Sequence, residues 1–309
     1  MNSVHFDSSL TDEQRRQDIY NGELYLYSPS PSAIALCHHA REMIVEAFGS
    51  LDPLMAQYSM EVEDYVAILA ELKPKFIHHP RSKEYIQSIL LERGCDLNKT
   101  YFDVPRMRTV TSDGYLTSGI AYAFHPHRDT WYSAPMSQIN WWLPIYEIES
   151  ENAMAFHLRY WSQSVKNSSN NYNYYQWNAN SRKNAASHIK KDTRIQPRAS
   201  EKLKIEPQIR AISPVAGLLM FSGAQMHSTV PNTSGKTRFS IDFRTVNIDD
   251  LRDRRGAENI DSESTGTTLR DFLCAKDFTP LPEDIISTYD DETHKNSESL
   301  IYQPESIRV

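Results

Sequence analysis

Three side chains able to bind a metal stand out in this sequence. His127 and Asp129 lie in the stretch AYAFHPHRDTWY (121–132), and His227 lies in GLLMFSGAQMHSTVPNTSGKTRFSIDFRTV (217–246). In His127-Arg128-Asp129 the two potential ligands are two residues apart. On an extended strand, residues i and i+2 point to the same side, so an imidazole and a carboxylate can converge on one ion. A lone His-x-Asp is a weak signal: with 11 histidines in the chain, roughly one is expected by chance. The weight comes from His227, which follows an apolar strand and a glycine turn and can close a face of three ligands.

Two histidines and one carboxylate on one face of an octahedron suit non-haem iron(II) oxygenases, with three positions left open. Two of these can take a bidentate 2-oxo acid and the third O2. Arg238, eleven residues after His227, then has a physical role. Its guanidinium fork can hold the far carboxylate of 2-oxoglutarate, and Ser240, facing the same way, can donate to it. Arg244 is the alternative clamp. Gln138 and Asn140, on a strand after the ligand pair, can turn polar groups into the same mouth and orient the ligand. Trp131 and Tyr132 are expected to wall the site, and Arg106 or Arg108 could meet an anionic group there. His125 is the rival first ligand, but no carboxylate stands two residues after it, which leaves it a neighbour of the site. His38-His39 and His78-His79 are adjacent pairs that cannot share one helical face and are expected at the surface.

The elements that must position these groups fall into two kinds. The first hundred residues read as mainly helical. Thr11 with Gln14 forms a capping box, and Ser30-Pro31 is a good helix start. It opens an apolar stripe through Ile34, Cys37, Ala40, Ile44, Ala47 and Phe48. Further helices are expected over 60–72 and 82–93, the latter stopped by Gly94, with one early strand at 22–27. From about Tyr101 the pattern turns to strands, over 102–110, 116–124, 138–148, 153–161, 208–212, 217–221 and 237–246. Helices first and strands after predict a mainly β core buttressed by an N-terminal helical layer. Residues 166–204, rich in Asn, Ser, Tyr and Lys, are too long for a hairpin loop and suggest a lid carrying Tyr172, Tyr174, Tyr175 and Trp177. The domain is expected to span 1–282, with helices to about 100 and the core over about 101–246, followed by an acidic, polar tail over 283–309.

The pattern HRD, then His with Arg eleven residues later and Ser two beyond, resembles the iron(II)/2-oxoglutarate oxygenase superfamily. Within it the chain looks most like the phytanoyl-CoA dioxygenase-like branch. There, a W-x-P-L/I segment and an acidic, Asn-rich turn follow the His-x-Asp. Here these are Trp142-Leu143-Pro144-Ile145 and Glu149-Ser150-Glu151-Asn152. The resemblance covers about 101–246. It implies a double-stranded β-helix (jelly-roll, cupin-like) and the oxidation of a substrate C–H bond coupled to conversion of 2-oxoglutarate to succinate and CO2. His127, Asp129 and His227 would be the iron ligands, and Arg238 with Ser240 the co-substrate clamp. In halogenating relatives the Asp129 position is Gly or Ala, so hydroxylation or another C–H oxidation is expected instead. Where the family carries a Pro-Gly-Ser-His turn, this chain reads His157-Leu158-Arg159-Tyr160-Trp161-Ser162. Its substrate wall is therefore not inherited by analogy.

Composition narrows the setting. The chain has 309 residues, 39% hydrophobic and 24% charged, with a formal charge of -7. A mildly acidic surface argues against a nucleic-acid or anionic-membrane binder, and nucleic-acid demethylation is disfavoured on the same ground. Three dispersed cysteines offer no CxxC pair, and free thiols with a polar N-terminus lead to a cytoplasmic expectation. A small, polar metabolite in a biosynthetic setting is the expected substrate, by analogy of fold. The rival readings are a non-catalytic β-barrel ligand-binding protein and a cupin-like metalloenzyme using no 2-oxo acid. The oligomeric state is not legible.

Overall fold

A computed structural model describes residues 3–117, 125–180 and 196–290. Helix α1 (Asp12–Tyr20) starts at the expected capping box, with Thr11 accepting the Gln14 N–H and the Gln14 side chain accepting the Thr11 N–H. Helix α2 (Pro31–Phe48) starts on Ser30-Pro31 and ends at Gly49, whose φ of 61° suits glycine. Its buried stripe runs through Ala33, Leu36, Cys37, Ala40, Ile44 and Phe48, while Ile34 points outward, 53% exposed. Helix α3 (Val62–His78) runs on through Pro74, beyond the expected end. Helix α4 (Pro80–Glu92) begins earlier than expected because the His79 side chain accepts the Arg81 N–H as a cap. His39 is buried and meets the half-buried His79 ring edge-on at 4.4 Å, correcting the surface expectation for His39.

The strands are β1 (Val4–Phe6), β2 (Leu24–Tyr27), β3 (Thr100–Phe102), β4 (Arg106–Val110), β5 (Ile139–Pro144), β6 (Met154–Phe156), β7 (Ile209–Ala211), β8 (Leu218–Ser222), β9 (His227–Thr229), β10 (Arg238–Asn247) and β11 (Leu273–Cys274). The large sheet has the order β1-β2-β8-β5-β10-β3-β11, with β4 also on β10, and a three-stranded sheet has the order β7-β6-β9. With so many helices in front, the chain is a mixture of α and β rather than mainly β.

Several expected strands are shorter. The 102–110 stretch divides into β3 and β4 because Pro105 has no N–H for the ladder and the Asp103 carboxylate takes the Arg244 N–H at 2.7 Å. The 153–161 stretch is strand only to Phe156, then a 3-10 turn over Leu158–Trp161. Leu116 and Thr117 carry no strand, and the rest of the expected 116–124 strand lies outside the described residues.

Strand β10 shows why two layers form. Its odd residues Phe239, Ile241 and Phe243 are fully buried against the helices, in one core with Leu36, Tyr65 and Phe76. Each such side chain contributes about 1.5–3 kcal/mol through burial. Its even residues Arg238, Ser240, Asp242 and Arg244 face the other way, since alternate side chains leave opposite faces. A second apolar layer joins the sheets, packing Leu24, Trp142, Leu219 and Phe221 against Met154, Phe156 and Ala211. Beyond it, the polar face of β10 looks into a cavity.

Residues after β10 are packed rather than trailing. Helix α5 (Tyr174–Asn180) lies within the 166–204 segment, α6 (Ile248–Arg252) follows β10, and α7 (Glu283–Ile286) comes near the end of the described chain. Ile285 and Ile286, at the start of the expected tail, are buried with Leu251 and Phe272. Asp290 accepts from Tyr175 and pairs with Arg270. Residues 181–195 of the expected lid and 291–309 of the expected tail lie outside the described residues. Among the described residues, no helix is long and apolar enough to cross a membrane.

Candidate metal centre

His127 and His227 are brought together by an isolated antiparallel bridge, each N–H donating to the other's carbonyl at 3.0 Å. Arg128 between the ligands is extended (φ −112°, ψ 141°), so His127 and Asp129 point the same way and Arg128 the opposite way. The chain then tightens into a 3-10 turn over Asp129–Tyr132. The spacing argument therefore holds across one residue only, without a continuing strand.

Nε2 of His127 lies 3.4 Å from Oδ1 of Asp129, and Nε2 of His227 lies 3.9 Å from the same oxygen. One ligand atom from each of the three falls within 4.8 Å of the others, a group able to hold a metal ion. Facial donors each about 2.1 Å from one ion lie about 3 Å apart, so the 3.4 and 3.9 Å gaps would narrow around a held ion. Both imidazoles are fixed by the same device. Nδ1 of His127 lies 2.7 Å from the His125 carbonyl, and Nδ1 of His227 lies 2.9 Å from the Gln225 carbonyl. A carbonyl oxygen only accepts, so each Nδ1 carries the proton and each Nε2 lone pair is left to face the ion. His125 thus serves through its backbone.

The electrostatics agree with a metal ligand set. Burial, then the neighbouring His127, push His227 down to about 4, so it is neutral at pH 7. Phe221 and Phe156 enclose its ring. Burial would raise the Asp129 carboxyl, but His127, Arg244 and His227 hold it far below the usual carboxylate range. Its second oxygen, Oδ2, accepts from Gln138 Nε2 at 3.0 Å, and Arg244 Nε lies 3.9 Å away. Gln138 also donates to Asn140 Oδ1 at 2.9 Å.

The three ligands line one end of a 390 Å³ cavity. Arg238, 4% exposed, lines it as well. Its Nη1 donates to the carbonyls of Asn152 and Ala153 at 2.7 and 3.3 Å, and its guanidinium carbon sits 5.6 Å from the Trp142 ring centroid. Arg238 Nε and Ser240 Oγ are buried without a hydrogen-bond partner among the described residues. Burial pulls the Arg238 guanidinium down to about 10, because Asp242 only partly compensates its charge. Arg244 differs: it pairs with Asp103 at 2.9 Å and lies within 4 Å of Asp129 and Asp242.

Of the residues expected here, Gln138, Asn140, Tyr132, Arg106 and Arg108 also line the cavity. Trp131 does not: it is fully buried and donates from Nε1 to Asp261 at 2.7 Å. His157 turns behind β9 to Ser228 Oγ at 2.9 Å. Sequence reasoning passed over Thr229, which shares a cavity-facing side of β9 with His227, and period two was the signal that could have found it. It also passed over Lys73, Asp103 and Asp242, and for Lys73 on α3 no signal exists.

The chain matches no family model and no curated protein. Solved structures similar to it include the non-heme monooxygenase ThoJ, at 12% identity over 70% of this chain and 69% of that one, TM-score 0.34. AviO1 from Streptomyces viridochromogenes is 11% identical over 78% of this chain and 97% of its own, TM-score 0.38. The epimerase SnoN, solved with Fe3+, alpha ketoglutarate and nogalamycin RO, is 11% identical over 76% and 85%, TM-score 0.37. At these TM-scores the likenesses are partial and place the chain in no family.

Proposed function

We propose that the protein is an iron(II)- and 2-oxoglutarate-dependent oxygenase built on a double-stranded β-helix. The observation that carries this reading is the presence, in one cavity, of the His127–Asp129–His227 group and the buried Arg238, whose Nε, like Oγ of the neighbouring, fully buried Ser240, has no hydrogen-bond partner among the described residues. Two imidazole nitrogens and one carboxylate oxygen on a single side suit iron(II) and leave positions for a chelating 2-oxo acid. A five-carbon diacid ends in a carboxylate, which Arg238 Nε and Ser240 Oγ can satisfy. A cupin-like enzyme without a 2-oxo acid would leave Arg238 turned away or already ion-paired, whereas here it lines the same cavity as the metal group.

Iron held here would let 2-oxoglutarate and O2 become succinate and CO2, with the second oxygen atom passing to a substrate C–H bond. The chain's own residues do the positioning. His127 and His227 turn Nε2 toward the ion site, and Gln138 and Arg244 hold the second oxygen of Asp129. Gln138 and Asn140 present amides to the bound ligands, and Phe221 and Trp142 exclude water. We read the described residues 166–180 and 196–204 as covering the cavity, with Tyr172 edge-on to Tyr132 and Tyr174 in the same cluster. The branch resemblance carried by Trp142–Ile145 is to the phytanoyl-CoA dioxygenase-like enzymes, and a small, polar metabolite is the substrate by analogy of fold. The test is a metabolite screen for substrate-stimulated succinate release, with Asp129→Ala as the blank. No iron-dependent succinate under any condition, from protein shown to bind metal, would leave a ligand-binding protein instead.

A further inference from the structure

A run of aromatic rings leads away from the metal group along one side of the cavity. The Tyr132 ring stands edge-on to His127 at 5.5 Å, and Tyr172 stands edge-on to Tyr132 at 5.4 Å. Trp177, on α5, lies 6.4 Å from both Tyr172 and Tyr174 and within 23° of parallel to the latter. All four residues line the cavity. Hydroxyls tie this wall down. That of Tyr132 donates to the Pro197 carbonyl at 3.2 Å, that of Tyr174 to Asp271, and that of the clustered Tyr175 to Asp290 at 2.8 Å. What Tyr132 and Tyr174 add to the cavity is therefore mainly flat carbon surface.

Two donors at this wall are placed differently. Trp177 Nε1 and Thr268 Oγ1 are buried, and neither has a hydrogen-bond partner among the described residues. Both residues line the cavity. Thr268 is held beside the wall by its own segment, in which Thr265 accepts the Tyr174 N–H at 3.1 Å and the Thr268 N–H donates to the Ser133 carbonyl at 3.2 Å. A buried donor without an acceptor is costly, and an oxygen brought by a ligand removes that cost. An acyclic polar molecule would serve the two donors and leave the ring faces wet. A hydrocarbon chain would cover the faces and strand the donors. A ring with oxygen at its edge does both, since aromatic side chains bind through a large apolar face and, in tryptophan, a polar N–H at the rim.

We propose that the substrate carries an oxygen-substituted ring, aromatic or sugar, whose face packs on Tyr172 and Trp177 and whose oxygens accept from Trp177 Nε1 and Thr268 Oγ1. The ring's role as substrate rests on the oxygenase reading; the ring site itself does not.

The test uses the full chain loaded with Zn(II), which turns over no co-substrate, and saturating 2-oxoglutarate. Three neutral probes, 4-hydroxybenzyl alcohol, methyl β-glucopyranoside and acyclic glycerol, are titrated by saturation-transfer NMR. At least one ring should bind, with transfer strongest to its ring protons, and glycerol should not. Preference between the two rings identifies the source. Trp177→Ala should weaken that ring by about tenfold or more, because the packing face is lost. Trp177→Phe and Thr268→Val, which keep shape and lose one donor, should each cost roughly three- to tenfold. If Trp177→Ala misfolds, these two milder variants carry the comparison. The 2-oxoglutarate titration is repeated on every variant, so that damage around Arg238 is read separately. Binding of neither ring, glycerol binding as tightly as the rings, or a ring affinity that none of the variants lowers overturns the proposal. Uptake of 2-oxoglutarate without ring binding overturns the ring site and leaves the oxygenase reading standing. Ring binding by protein that takes up no 2-oxoglutarate keeps the site and overturns its role in an oxygenase.

Discussion

Gln138 donates from Nε2 to Oδ2 of Asp129 at 3.0 Å, leaving Oδ1 as the oxygen nearest the two histidine nitrogens. A carboxylate held by one oxygen presents the other in a fixed direction, and groups that orient metal ligands typically carry 10–100-fold in affinity. Gln138→Leu should therefore weaken Mn(II) binding by about 10–100-fold, read by calorimetry on anaerobic protein, while Asp129→Ala should remove measurable binding. Unchanged affinity in Gln138→Leu would mean the hydrogen bond does not orient the ligand.

Arg238→Leu should weaken 2-oxoglutarate by about 30-fold or more, the usual effect of truncating one partner of a buried charge pair. Mn(II) binding should stay within a few-fold. Ser240→Ala, which loses one neutral donor, should cost about 0.5–1.5 kcal/mol, or roughly three- to tenfold. Equal diacid affinity in wild type and Arg238→Leu would sink the clamp.

Asp261 anchors the metal loop from behind. It lies 3.1 Å from Arg128 Nε and accepts from Trp131 Nε1 at 2.7 Å and the Val165 N–H at 3.0 Å. Arg128 is 2% exposed. Asp261→Ala strands that guanidinium without its counter-charge, at a cost of about 3–5 kcal/mol. The urea midpoint should drop accordingly, and Mn(II) affinity should fall because His127 and Asp129 flank Arg128. A midpoint within experimental error of wild type would show the network to be dispensable.

How legible the site was in the sequence depended on the range of the interaction. The His127–Asp129 pair rests on one extended residue, Arg128, and the alternation along β10 is likewise local, so both could be read from spacing. The same locality explains the errors. Ile34 and Trp131 are apolar residues whose direction was set by what packed beside them, and the 102–110 strand broke where Asp103 took a distant N–H.

What the residues alone determined is a set of candidates: three ligands, and two arginines, Arg238 and Arg244, on one face of a strand. Nothing local separates those arginines, because period two puts both on the same side. The tertiary structure decided between them. It surrounds Arg244 with Asp103, Asp129 and Asp242, drawn from three separate stretches, and leaves Arg238 buried over Trp142 with only carbonyls as hydrogen-bond partners among the described residues. Charge compensation falls off with distance in space and is indifferent to distance along the chain, so only the folded molecule could say which guanidinium still wanted an anion.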